Sequence, residues 1–220
     1  MRHFRSTPYI IAACIVVTFA VEHEAAPRYA IAFKAFPPSD TDIFIAAADG
    51  SGARRLASDP ALDYNASFSP DGRWIVFTSH RSGSADLYRI RADGSDLERL
   101  TTDPAFDDQG TFSPDGKRLA FVSTRRGQAD IWTLDLETRK AHLLVSHPAG
   151  DFRPAWSPDG QWVAFSSDRD PAAKSCPDTT EAGPGPFVTP QYTSIFMVRS
   201  DGSDLRRVTA KSEVDGAPRW

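Results

Sequence analysis

Residues 112–121 read Phe-Ser-Pro-Asp-Gly-Lys-Arg-Leu-Ala-Phe, and this stretch decides the fold because it returns. Phe68-Ser69-Pro70-Asp71-Gly72 precedes it and Trp156-Ser157-Pro158-Asp159-Gly160 follows it, each 44 residues away. The flanking segments keep the same step. Ile31-Ala32-Phe33, Ile75-Val76-Phe77, Leu119-Ala120-Phe121 and Val163-Ala164-Phe165 align, as do Asp42-Ile43-Phe44, Asp86-Leu87-Tyr88 and Asp130-Ile131-Trp132. A fourth copy of the last triplet, Ser194-Ile195-Phe196, stands 64 residues after Asp130, so its unit carries 20 extra residues.

Each unit reads as four short strands. Strand A ends at the aromatic before Ser-Pro-Asp-Gly, a turn in which proline sets φ and glycine accepts the closing geometry. Strand B follows, as in Arg73 to Ser79, and is apolar on both faces, as a sheet packed on both sides requires. Strand C runs from Asp86 to Arg91, and Asp93-Gly94-Ser95 turns the chain into strand D. No segment beyond the N-terminus has a helical period. A tandem four-stranded unit of this length predicts an all-β fold, a β-propeller of four-stranded antiparallel blades. About four blade equivalents are present. The first unit begins at strand B near Tyr29, and Asp215 to Trp220 matches Asp151 to Trp156 position for position. That end could close a four-bladed ring or belong to a longer propeller. Four blades is the low end of the range, so an incomplete larger propeller is the expectation.

Ser113 to Phe121, Asp130-Ile131-Trp132, and Ala92-Asp93-Gly94-Ser95-Asp96-Leu97-Glu98-Arg99-Leu100-Thr101 together resemble the WD-like repeats of the TolB-like β-propeller family. The resemblance covers about residues 29–220. Similar repeats occur in the propellers of tricorn and prolyl-oligopeptidase-type peptidases. The resemblance implies an exported scaffold that binds a protein or other ligand in the cell envelope. The alternative it implies is a substrate-gating propeller of an exported serine peptidase. A TolB-fold polysaccharide lyase would need a cluster of metal-binding histidines, and the sequence has none.

The N-terminus points to export. Arg2, His3 and Arg5 form a basic head, and Tyr9 to Val21 is almost wholly apolar. That run is short for a membrane span and suits the core of a secretory signal. Residues 1–26 therefore read as a signal peptide or an uncleaved anchor, and 27–220 as propeller, with a periplasmic or extracellular destination. An uncleaved segment would be the chain's link to a membrane. The net charge of −4 carries no basic excess that would suggest nucleic acid. Cys14 lies in the apolar run and Cys176 stands apart, so no internal disulfide is expected.

Chemistry was sought residue by residue. No Gly-x-Ser-x-Gly elbow is present, and His80, His142 and His147 have no context for a nucleophile relay, so no enzyme activity is expected. The Asp93 to Asp96 and Asp201 to Asp204 turns offer two carboxylates each, too few for a calcium loop. No metal and no cofactor is expected. The candidate partner-binding residues are two sets. Asp63, Asp107, Asp151 and Asp215 recur at 44, 44 and 64 just before strand A. They would ring one mouth of the channel and form a negative funnel, or each would cap its own loop. The other set lies in the Pro- and Gly-rich insert of residues 168–192, an excursion from the blade in which Phe187 and Tyr192 would anchor a partner.

Overall fold

Three identical turns set the frame. In each, the serine hydroxyl donates to the aspartate two residues on, at 2.5, 2.5 and 2.6 Å for Ser69, Ser113 and Ser157. The same hydroxyl accepts the backbone N–H of the residue that opens the next strand, at 2.9 Å in all three. Gly72, Gly116 and Gly160 all sit at φ 68°, where a side chain is strained. The turn thus fixes the A–B hairpin before any long-range contact forms.

The computed structural model describes residues 16–18, 30–35, 41–169, 193–209 and 217–220. They form four four-stranded antiparallel sheets in chain order. The first holds β1 (Val16–Thr18), β2 (Ala30–Ala35), β3 (Asp42–Ala47) and β4 (Arg54–Ala57). The second holds β5 (Asp63–Phe68), β6 (Trp74–Ser79), β7 (Asp86–Arg91) and β8 (Glu98–Arg99). The third holds β9 (Asp107–Phe112), β10 (Arg118–Ser123), β11 (Asp130–Asp135) and β12 (Ala141–Val145). The fourth holds β13 (Asp151–Trp156), β14 (Trp162–Ser167), β15 (Ser194–Arg199) and β16 (Arg206–Arg207). No helix among the described residues is long and apolar enough to cross a membrane.

The core lies between blades. Strand B alternates two apolar sets because its successive side chains point to opposite faces. Ile75 and Phe77 pack with Ile43, Ile45 and Leu56 of the first blade. Val76 and Leu87, on the other face, pack with Phe112, Leu119 and Phe121 of the third. Ala120 and Val122 then meet Val163 and Phe165 of the fourth. Phe77, Phe121 and Phe165 are fully buried, as their constant step predicted, and Phe33, in the first blade, is half-buried.

The sheets form an arc that does not close among the described residues. Ile31 pairs with Val17, so the inner edge of β2 is occupied by β1. Residues 217–220 form no strand, and the Trp220 indole N–H donates to the Ala155 carbonyl at 3.1 Å. The first blade's inner strand therefore comes from the apolar run that the sequence reading assigns to export, an arrangement the repeat pattern does not foresee. Most of the insert lies outside the described residues.

Phe121→Ala should lower the unfolding free energy by about 3–5 kcal/mol, because the cavity opens between two packed sheets. Leu143→Ala, at a side chain 37% exposed, should change it by about 0.5 kcal/mol or less. Urea denaturation followed by tryptophan fluorescence measures both.

Candidate functional site at the channel mouth

The inner strands β5, β9 and β13 each start with an aspartate whose N–H donates 2.8 Å back to the preceding blade: Asp63 to Thr41, Asp107 to Ala85, Asp151 to Ala129. The carboxylate is thereby pulled inside. All three are fully buried. A buried charge needs a partner, and the B–C loop supplies one. Arg81, Arg125 and Arg169 reach Asp63, Asp107 and Asp151 at 2.8, 2.9 and 2.7 Å. Each arginine also donates Nε–H to the serine that ends strand B, at 2.8 Å. Its guanidinium lies over the cross-strand ring pair, at 5.6 and 5.0 Å from Phe77 and Tyr88, 5.4 and 4.5 Å from Phe121 and Trp132, and 5.3 and 4.8 Å from Phe165 and Phe196.

This corrects the acidic funnel. Asp63, Asp107 and Asp151 do share one end of the inner strands, but their charge is taken up inside the blade and none has surface to offer a partner. Burial pushes all three carboxyls above the ordinary range, against the lowering effect of their serine and arginine donors. Asp215, Phe187 and Tyr192 lie outside the described residues. The sequence reading missed Arg81, Arg125 and Arg169, although Ser-x-Arg recurs at the same step of 44.

A second aspartate series, at the start of strand C, departs from the repeat. Asp42 pairs with Arg55 at 2.6 Å. Asp86 accepts from Ser82 at 2.5 Å, Ser84 at 3.2 Å and Arg99 at 2.8 Å. In the third blade these donors are replaced by Arg126, Gln128 and Leu143. Asp130 stays fully buried, accepts one N–H from His147 at 3.3 Å, and its Oδ2 has no partner.

The channel itself is lined by a different set. β5, β9 and β13 each break register against strand B. In the break sit Asn65, Gln109 and Arg153, spaced by 44 and held at φ 53°, 57° and 54°. A left-handed residue in a strand is a bulge, and it re-aims its side chain. The bulges are cross-linked. The Asn65 amide donates to Asp108 Oδ1 at 2.8 Å, and the Arg153 N–H donates to Gln109 Oε1 at 2.6 Å. Gly110 is needed beside them, since a Cβ there would meet Val76 at 3.1 Å and Leu87 at 3.2 Å. Together with Ala32, Phe33 and Ala217 to Arg219 they bound a cavity of about 530 Å³. Two of its lining residues are arginines, Arg153 and Arg219, and among the described residues none is acidic.

Behind this wall stands Asp108, 5% exposed, which also accepts from Thr78 at 2.6 Å and from the Gln109 N–H at 2.6 Å. Burial raises its pKa, and burial and the Asp108 charge raise that of Tyr64. Tyr64 and Phe152 fill the equivalent places in the neighbouring blades, so this carboxylate is peculiar to the third. His80 shares a hydrogen bond of 3.0 Å with the Tyr64 hydroxyl.

Residues 30–129 match the family model of the tricorn protease N-terminal β-propeller domain, and residues 108–174 that of the TolB β-propeller domain. The chain is a β-propeller whose repeats are similar to those of tricorn and TolB propellers. Over 39 residues it is 49% identical to the Tol-Pal system protein TolB of Bordetella pertussis, covering 18% of this chain and 9% of that protein. The crystal structure of TolB from Acinetobacter baumannii superposes with a TM-score of 0.68 at 22% identity, over 94% of this chain and 46% of that one. Puromycin hydrolase superposes with a TM-score of 0.63 at 19% identity, over 94% and 32%. The chain thus spans less than half the length of these solved relatives, and the likeness to them is one of fold.

Two substitutions test the electrostatics. Leu143→Arg restores to the third blade the donor that Arg99 provides in the second, and should raise the unfolding free energy by about 1–2 kcal/mol. For Asp108 the raised folded pKa means that its stabilising effect is complete below the unfolded value of about 3.9 and is lost as pH rises through the folded value. Asp108→Asn should therefore raise the melting temperature relative to wild type at neutral pH, with the difference vanishing in acid, in thermal melts run from about pH 3 to pH 7.

Proposed function

We propose that this chain is an exported propeller that binds a protein of the cell envelope, with the channel mouth as the place of contact. One observation carries the reading. The side chains the repeat requires for folding are consumed in internal pairs, whereas Asn65, Gln109 and Arg153 occupy a repeated backbone position with three different side chains and line an open cavity. Positions that keep a shape and vary a side chain are those at which a rigid scaffold carries binding specificity. Export rests on the basic head and apolar run at the N-terminus, and an envelope role on the likeness to a Tol-Pal system protein.

A second reading, a propeller that gates substrate for an exported peptidase, is favoured by the superposition on puromycin hydrolase. There the same mouth would pass a peptide toward a catalytic domain. A hydrolase domain in the same polypeptide would decide for it.

A photo-crosslinking residue placed at Gln109 should capture an envelope protein in living cells. The same residue at Leu97, which is 47% exposed beside the outermost strand β8, should not. Crosslinks from position 97 alone, analysed by mass spectrometry, would move the contact to the outer rim.

A further inference from the structure

We infer that the channel mouth recognises a carboxylate, borne by an extended peptide segment, through the guanidinium of Arg153. This deepens the channel reading above and rests on it. The first ground is charge. The chain as a whole carries −4, yet among the described residues the lining of this 530 Å³ cavity includes Arg153 and Arg219 and no acidic residue. Low-dielectric walls lined by one sign of charge focus the field on a ligand of the other. Asp108, the carboxylate behind the wall, is already held by Thr78, Asn65 and the Gln109 N–H.

The second ground is pairing. Arg81, Arg125 and Arg169 each hold a carboxylate of their own blade, and Arg55 and Arg99 do the same. The Arg153 guanidinium has no ion-pair partner among the described residues. Its planar donor fork matches a carboxylate in two parallel hydrogen bonds. Gln109 stands beside it: its Oε1 accepts the Arg153 backbone N–H, and its side chain also hydrogen-bonds Asp108, so the pair is held in place at the wall.

The third ground is backbone cost. At φ near 55° glycine is comfortable and asparagine is tolerated, and Asn65 follows that preference. Gln109 and Arg153 do not. A long polar side chain held in a strained conformation at two of three equivalent bulges is placed there for what it presents.

The test uses three fluorescein-labelled pentapeptides: Gly-Gly-Asp-Gly-Gly and Gly-Gly-Asn-Gly-Gly, both acetylated and amidated, and an acetylated pentaglycine with a free C-terminal carboxylate. Binding to the full chain is read by fluorescence anisotropy at low salt. The Asp peptide, the free-acid peptide, or both should bind at least about tenfold tighter than the Asn peptide, and the two acidic arms separate a side-chain from a C-terminal carboxylate. Added salt should erode the difference. Arg153→Asn installs the residue that the second blade has at this position, so it should keep or raise the thermal midpoint while abolishing the discrimination. Arg126→Gln, which removes an exposed arginine outside the cavity, should leave it intact. Equal binding of the Asp, Asn and free-acid peptides overturns carboxylate recognition and leaves the channel as a docking site. Binding of none of them, with crosslinks absent from Gln109, overturns both. A lower thermal midpoint for Arg153→Asn would make Arg153 a structural residue and also overturn the inference.

Discussion

A carboxylate buried at the foot of the inner strands β5, β9 and β13 is the constraint on which this propeller depends. Asp63, Asp107 and Asp151 are drawn inside because their own N–H groups bond to the blade before them. A charge so placed demands an opposite charge and full hydrogen bonding. The arginine that answers it comes from the B–C loop, uses the last serine of strand B as a second anchor, and lies flat on the aromatic pair that joins strands B and C. One ion pair therefore ties strands A, B and C of a blade together and that blade to its predecessor. This coupling accounts for a step of 44 that tolerates no slippage through three units, since a shift of one residue would turn the aspartate to the other face.

The departures from the repeat are as informative as the repeat. In the third blade Leu143 replaces the strand D arginine, and Asp130 remains buried with one oxygen unpartnered. The same blade introduces Asp108, and its inner strand carries Gln109 and Gly110. Glycine there lets Val76 and Leu87 of the second blade approach within contact distance of the strand. This blade thus buries Asp108 and Asp130 without an ion-pair arginine among the described residues, beside Asp107, which Arg125 holds.

The sign of the channel mouth follows from the same economy of charge. Acidic residues outnumber basic ones, 29 to 25, but the aspartates nearest the channel are those that the fold buries and neutralises. Among the described residues, the charged groups that line the cavity are the guanidiniums of Arg153 and Arg219. Net charge and local field therefore point in opposite directions, and a reading of where acidic residues recur finds the former.

The sequence by itself determined the blade. The 44-residue step, the Ser-Pro-Asp-Gly turn and the apolar alternation of strand B depend on contacts near in sequence and on a backbone period, so they are written linearly. They placed Phe77, Phe121 and Phe165 in the core, and they brought Asp63, Asp107 and Asp151 to one end of the strands. Whether those aspartates are free or paired was settled only in three dimensions, because each partner arginine lies 18 residues downstream and meets its aspartate through the hairpin. The site was less legible still. Asn65, Gln109 and Arg153 are three different residue types, two amides and a guanidinium, so no motif unites them. What they share is a left-handed backbone in a bulge, a conformation imposed by the pairing of strand A with strand B, and only the arrangement of blades around a common channel makes them neighbours.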